Sequence, residues 1–159
     1  MTATQTWNAD RALVLIKELE HLPGALLPIL HALQDEFGYV DKEAIPLIAS
    51  ALNLSHAEVH GVISFYHDFR HVPPGRHVLK LCRAEACQSM ACDKTIQHVE
   101  QRLGIRLGQT TEDGSFTVEA VYCLGLCALS PSAMLDGKVY GRVSPQVADF
   151  LIGSLQRRQ

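Results

Sequence analysis

The sequence predicts an α/β chain in two parts: a helical N-terminal bundle over residues 1–72, then a small unit of strands and helices over 73–159. Three observations predict it. Apolar residues before residue 70 recur at helical spacing. His71-Val72-Pro73-Pro74-Gly75-Arg76 then sets two prolines and a glycine in succession, which stops a helix and marks a linker. Beyond it, short apolar runs bounded by turn residues read as strands interleaved with helices.

Four helices are expected in the first part. Residues 8–20 carry Leu13, Ile16 and Leu19 close to helical spacing. Leu26, Leu30, Leu33 and Phe37 follow i, i+4, i+7, i+11, and Gly38 is placed to end that helix. Asp41 is positioned to cap a third helix bearing Ile45, Ile48 and Leu52, although Pro46 about one turn in weakens its start. Ser55-His56-Ala57-Glu58 fits a capping box, and Val59, Val62, Tyr66 and Phe69 supply the buried stripe that follows.

The second part opens with a strand, Val78-Leu79-Lys80-Leu81, that runs into Cys82. A single helix is expected from about Gln88 to Leu103, with Gly104 just past its end. Glu112-Asp113-Gly114 is a turn, and Phe116 to Tyr122 alternates as a strand into Cys123. Asp136-Gly137 between Ala133–Leu135 and Lys138–Tyr140 signals a hairpin. Ser144-Pro145 is an N-cap followed by proline at the first helical position, and Val147, Phe150, Leu151 and Leu155 are the expected inner face of the last helix. The order is β-α-β-β-β-α.

Composition removes several function classes. The chain is 47% hydrophobic with a formal charge of −3, so no basic stripe points to nucleic acid. No apolar run approaches the roughly 18–20 residues that span a bilayer. MTATQTWNADR lacks a positive region followed by an apolar one, so nothing suggests export. Five cysteines are an odd number, against a simple disulfide framework and for a reducing, cytoplasmic setting, where clustered thiols mean metal or redox chemistry.

The cysteines fall as C-x4-C, 35 residues, then C-x3-C, with each pair just past a predicted strand. A strand end is a rigid platform, and the loop beyond it can turn backbone N–H groups toward a ligand. That pattern suits a [2Fe–2S] cluster, whose net negative charge is offset by N–H donors around the sulfurs. Gly125 in the second loop would let the backbone approach such a group closely. Zinc is the chief rival for four thiolates, and bare core thiols are the third reading. Structural zinc favours C-x2-C pairs, whereas loops of four and three residues suit a larger, two-iron object. Cys92 gives a C-x4-C-x4-C run if it is a ligand. It also joins Ile96, Val99 and Leu103 at helical spacing, which favours a core position.

Other candidates are weaker. His56 and His60, and His67 and His71, are spaced i, i+4, but His56-Ala57-Glu58-Val59-His60 is not H-E-x-x-H, and surface histidines are the simpler reading. There is no G-x-G-x-x-G, no G-x-x-x-x-G-K-[ST] and no C-x-x-C, so the chain shows no site for NAD, FMN or ATP and no dithiol motif. Arg83-Ala84-Glu85-Ala86 sets opposite charges beside the first cysteine pair, either as a solvated rim or as a tuning or docking surface. Phe65, Tyr66 and Phe69 are expected to pack on the other helices.

The residues carry a resemblance. Leu27-Pro28-Ile29-Leu30-His31-Ala32-Leu33-Gln34-Asp35-Glu36-Phe37-Gly38-Tyr39-Val40, Glu58-Val59-His60-Gly61-Val62-Ile63-Ser64-Phe65-Tyr66 and the two cysteine pairs together resemble the 24-kDa family of respiratory complex I and its soluble relatives in NAD-linked hydrogenases and formate dehydrogenases. The resemblance covers about residues 10–157. It implies a thioredoxin-like [2Fe–2S] ferredoxin domain after the helices, with one cluster on Cys82, Cys87, Cys123 and Cys127 and with Cys92 outside the set. It implies a neighbouring flavoprotein subunit holding FMN and NAD, and since a helical arm over residues 1–72 is more than a free electron carrier needs, that arm is expected to dock on the flavoprotein. Cys82-Arg83-Ala84-Glu85-Ala86-Cys87-Gln88-Ser89-Met90 is most similar to the gamma subunit of soluble NAD-dependent formate dehydrogenase, whose larger catalytic subunit carries molybdenum or tungsten and iron–sulfur centres. The equivalent subunit of complex I or of an NAD-reducing hydrogenase is the alternative, and a zinc-stabilised adaptor is the alternative of another class.

Overall fold

The structure is a computed structural model that describes residues 6–156. Residues 1–5, where the reading of the N-terminus as free of an export signal begins, lie outside the described residues. The chain divides into two compact units between Pro73 and Pro74.

The first unit holds four helices: α1 (Ala9–Leu19), α2 (Leu26–Phe37), α3 (Ala44–Leu52) and α4 (His56–Phe65). The Asn8 side chain caps α1 by accepting from Arg11 N. The face α1 buries is Ala12, Leu15 and Ile16, with Leu13 left exposed. The buried face is rotated from the expected one: at about 100° per residue, Leu13 stands a quarter-turn round from Ala12. Helix α2 buries Ile29, Leu30, Leu33 and Phe37, and Gly38 closes it at φ 81°. Asp41 does not cap α3 directly. Its carboxylate accepts from Glu43 N at 2.8 Å and shapes the turn ahead of the helix. Pro46 is the third residue of α3, within the first turn, where a backbone N–H has no intrahelical partner to lose. The capping box of Ser55 and Glu58 is present on α4. That helix ends at Phe65, so Phe65 and Tyr66 project outward, and Phe69 is buried from the segment after it. Gln34 fixes that segment, donating to Asp68 O at 2.8 Å and accepting from Arg70 N at 2.7 Å.

The second unit is a five-stranded mixed sheet with helices against it. The strands are β1 (His77–Cys82), β2 (Gln109–Thr110), β3 (Phe116–Val121), β4 (Ala133–Leu135) and β5 (Lys138–Tyr140), ordered β2-β3-β1-β4-β5. Strands β1 and β3 are parallel, in register from His77 opposite Phe116 to Cys82 opposite Val121. The other pairs are antiparallel. The single helix expected over 88–103 is two, α5 (Glu85–Ser89) and α6 (Cys92–Leu103), divided by Ala91 in the left-handed conformation at φ 57°. No glycine or proline marks that break in Ser89-Met90-Ala91. Asp136 and Gly137 both have positive φ, 50° and 82°, as a two-residue hairpin turn requires. Helix α7 (Pro145–Gln156) buries Ala148, Leu151 and Ile152. Phe150, one residue off that stripe, is exposed. Leu79, Leu81, Val99, Phe116, Val118 and Ile152 centre a core that also includes Cys82, Cys87 and Cys92.

Candidate metal centre

Parallel pairing places Cys82 at the end of β1 and, opposite it, Val121 at the end of β3, two residues before Cys123. Backbone bonds fix the first cysteine from both sides: Cys82 N donates to Ser132 O at 3.0 Å, and Arg83 N to Val121 O at 2.8 Å. Cys87 lies within α5 and is buried. Cys127 opens a 3-10 turn, Cys127–Leu129, that packs against α5. The segment behind that turn is close-fitted. Arg142 N donates to Leu129 O at 2.6 Å, and a Cβ on Gly141 would come within 2.6 Å of Leu129 Cβ.

The two cysteine pairs lie at or beyond the ends of adjacent parallel strands. Cys123 Sγ and Cys127 Sγ are 3.7 Å apart. Their hydrogen bond and charge interaction, with burial and the further charges of Cys87 and Cys82, push the Cys127 thiol up. Burial alone would raise Cys87 too. Hydrogen bonding with the Ser132 side chain and backbone and with Cys82 outweighs it and leaves that thiol below its ordinary range. The first pair is buried and the second exposed. Gly125 N donates to Cys123 Sγ at 3.3 Å. Gly125 has φ 77°, and a Cβ built there meets no other atom of the chain, so its left-handed backbone is the constraint within this chain. Cys123 itself has φ 102°, a strained conformation for a residue with a Cβ and one that concentrates at functional sites.

Cys92 belongs to the core. It is 2% exposed on α6 with Thr95, Ile96 and Val99, and burial, then the charges of Asp93 and Cys87, push its thiol up. His56, His60, His67 and His71 are all exposed on the first unit. Among the described residues no three His, Cys, Asp or Glu side chains converge on a single-ion site.

The donor set fits an iron–sulfur cluster. Four sulfurs are the soft ligands it takes, a backbone N–H points at Cys123 Sγ, and the Ser132 hydroxyl lies 3.5 Å from Cys87 Sγ. Arg83, next to Cys82, has a buried Nε without a hydrogen-bond partner, while its Nη2 lies 3.6 Å from Asp93. A buried orphan donor beside an anionic group is electrostatically reasonable and otherwise costly. Sequence reasoning missed Ser130 and Ser132. The only signal was their closeness after Cys127 in Cys127-Ala128-Leu129-Ser130-Pro131-Ser132.

A family model described as thioredoxin-like [2Fe–2S] ferredoxin matches residues 13–156. The chain belongs to this family. Its cofactor is therefore one [2Fe–2S] cluster, and the zinc-adaptor reading falls away. The ferredoxin is 37% identical over 134 residues to the HndA subunit of the NADP-reducing hydrogenase of Solidesulfovibrio fructosivorans, covering 82% of this chain and 78% of that one. It is 36% identical over 121 residues to a subunit of the NADH-quinone oxidoreductase of Pseudomonas aeruginosa, covering 76% and 73%. An NAD+-reducing [NiFe]-hydrogenase structure in the H2-reduced state matches 84% of the ferredoxin at 26% identity with a TM-score of 0.72. The ferredoxin covers 22% of that hydrogenase chain. Among the described residues no helix is long and apolar enough to cross a membrane.

Proposed function

We propose that this ferredoxin is the electron-transfer subunit of an NAD-linked oxidoreductase complex and that Cys82, Cys87, Cys123 and Cys127 hold its cluster. The observation that supports the ligand assignment is the parallel pairing of β1 and β3, which sets Cys82 opposite Val121, two residues before Cys123, with the Cys123 and Cys127 sulfurs 3.7 Å apart. Bound there, the cluster supplies reversible one-electron chemistry. The chain's own residues do the rest. Burial of Cys82 and Cys87 shields one side from water, and the exposed Cys123 and Cys127 leave the other side open to a redox partner. The relatives belong, by their names, to an NADP-reducing hydrogenase and an NADH-quinone oxidoreductase, which supports a flavoprotein neighbour that exchanges hydride with the nicotinamide. FMN and NAD belong to that neighbour in this reading, and no step of substrate chemistry falls on the ferredoxin.

The parent complex is, on the similarity of the Cys82–Met90 loop, an NAD-dependent formate dehydrogenase with a molybdenum- or tungsten-containing catalytic subunit. The second reading, an NAD(P)-reducing hydrogenase or an NADH-quinone oxidoreductase, is favoured by the two relatives above. Purifying the native complex through a tag on this chain and assaying NAD+ reduction tests both. Formate-dependent reduction supports the first reading, and hydrogen-dependent reduction or NADH:quinone activity replaces it with the second. A complex without a flavoprotein and without NAD(H) turnover overturns the electron-transfer role in an NAD-linked enzyme.

A further inference from the structure

Ser132 is 4% exposed and lies 45 positions after Cys87, yet its Oγ is 3.5 Å from Cys87 Sγ. Its carbonyl accepts from Cys82 N at 3.0 Å, so one residue braces both members of the first cysteine pair. The neighbouring Ser130 is differently employed. Its hydroxyl donates to Cys127 O at 2.6 Å, and it can only accept from Cys87 Sγ, 3.8 Å away. The donor inventory separates the two serines. A hydroxyl has one hydrogen to give, and a thiolate has none. Once Cys87 is a deprotonated ligand, the Ser130 hydrogen stays on the Cys127 carbonyl. The Ser132 hydrogen is uncommitted and has a sulfur anion as its near acceptor in a buried site.

We propose that Ser132 sets the reduction potential of this ferredoxin by donating its hydroxyl hydrogen to the Cys87 thiolate. The inference rests on the assignment of Cys87 as a ligand. Accepting one electron adds one negative charge and breaks no bond. A donor aimed at a ligand sulfur favours the more negative state, and burial strengthens it because no water competes. Ser130 sits as close in sequence but lacks a free hydrogen, so it does not share the role.

The test uses the full chain with its cluster reconstituted, poised by mediated titration and followed by visible absorbance and EPR. Ser132→Ala is expected to hold the cluster with about a tenfold shift of the redox equilibrium toward the oxidised form, a potential more negative by about 59 mV for one electron. Ser132→Thr and Ser132→Val differ in a hydroxyl against a methyl at nearly equal volume and separate donation from packing. Threonine should stay near the wild-type potential and valine should follow alanine. Ser130→Ala should shift the potential less than Ser132→Ala. Pulsed EPR in D2O should lose one exchangeable hydron coupling in Ser132→Val and retain it in Ser132→Thr. Equal potentials for the threonine and valine variants overturn the proposal, and so does loss of the cluster from both, which marks a packing role. Cys87→Ser tests the underlying ligand assignment separately. If that variant keeps an unaltered cluster, the assignment itself fails, whatever the serine variants show.

Discussion

At the scale of single residues, the cysteines differ in ways that variants can read. Replacing Cys82, Cys87, Cys123 or Cys127 by Ser exchanges a soft thiolate for a hard hydroxyl, so each variant should lose the cluster or change its EPR spectrum. Cys92→Ala should leave that spectrum intact and cost on the order of 1 kcal/mol in denaturant unfolding, as a small core truncation does. A lost signal in Cys92→Ala alongside an unchanged one in any of the four serine variants would sink the ligand set. Gly141 offers an independent handle on Cys127. The added methyl of Gly141→Ala would meet Leu129 Cβ at 2.6 Å and Leu129 O at 3.0 Å, forcing the Cys127–Leu129 turn to shift. Overpacking of this kind costs roughly 1–3 kcal/mol, and iron content per chain after reconstitution should fall below wild type. The placement of Cys82 at the end of a strand and of Cys92 on the buried face of a helix was legible in the sequence because local spacing encodes both. Ser132, the Arg83 Nε and the close fit at Gly141 were not legible, because each depends on how distant segments pack.

At the scale of elements, local chemistry predicted best where one short segment fixes its own geometry. The Ser55–Glu58 capping box and the Asp136-Gly137 turn form as read because the bonds and dihedrals they need lie within four residues. Apolar spacing located helices but misplaced their faces at Leu13 and Phe150, since a stripe read from a few residues fixes its centre only to within a residue. Strand β2, two residues long, gives no periodic signal, and Ala91 breaks the 88–103 helix without a glycine. Removing the cap with Ser55→Ala should cost about 1 kcal/mol, readable as a lower denaturant midpoint. The β2–β3 turn carries a pH-dependent contribution. Hydrogen bonds from the Thr111 and Ser115 side chains and from Ser115 N hold the Asp113 carboxyl down to about 2, below its ordinary 3.8. A depressed folded-state value means stability that is fully present above 3.8 and lost as pH falls through about 2. Asp113→Asn should therefore destabilise the cluster-free chain at neutral pH. The gap from wild type in denaturant titrations should narrow across that acid window, and a gap that stays constant down to pH 2 would count against the linkage.

At the scale of the whole molecule, each unit has its own cluster of buried residues. The first draws its buried residues from Ala12 to Phe69, and the second from Leu79 to Ile152, with none in common. All five cysteines lie in the second unit, where the end of β1, helices α5 and α6 and the loop after β3 carry them. Cluster binding and any docking role of the helices should accordingly be separable. A chain beginning at Pro74 should fold, reconstitute one cluster and keep its visible spectrum. The same fragment should bind the flavoprotein partner much more weakly than the full chain, because the four helices and the exposed Phe65, Tyr66 and Val72 are gone. Size exclusion of each chain with the partner subunit reads both halves of the expectation. Equal binding by the two would show that the helices are not the dock. A soluble fragment that fails to hold a cluster would show instead that the helical unit supports the metal centre, since separate cores permit independent folding but do not by themselves demand it.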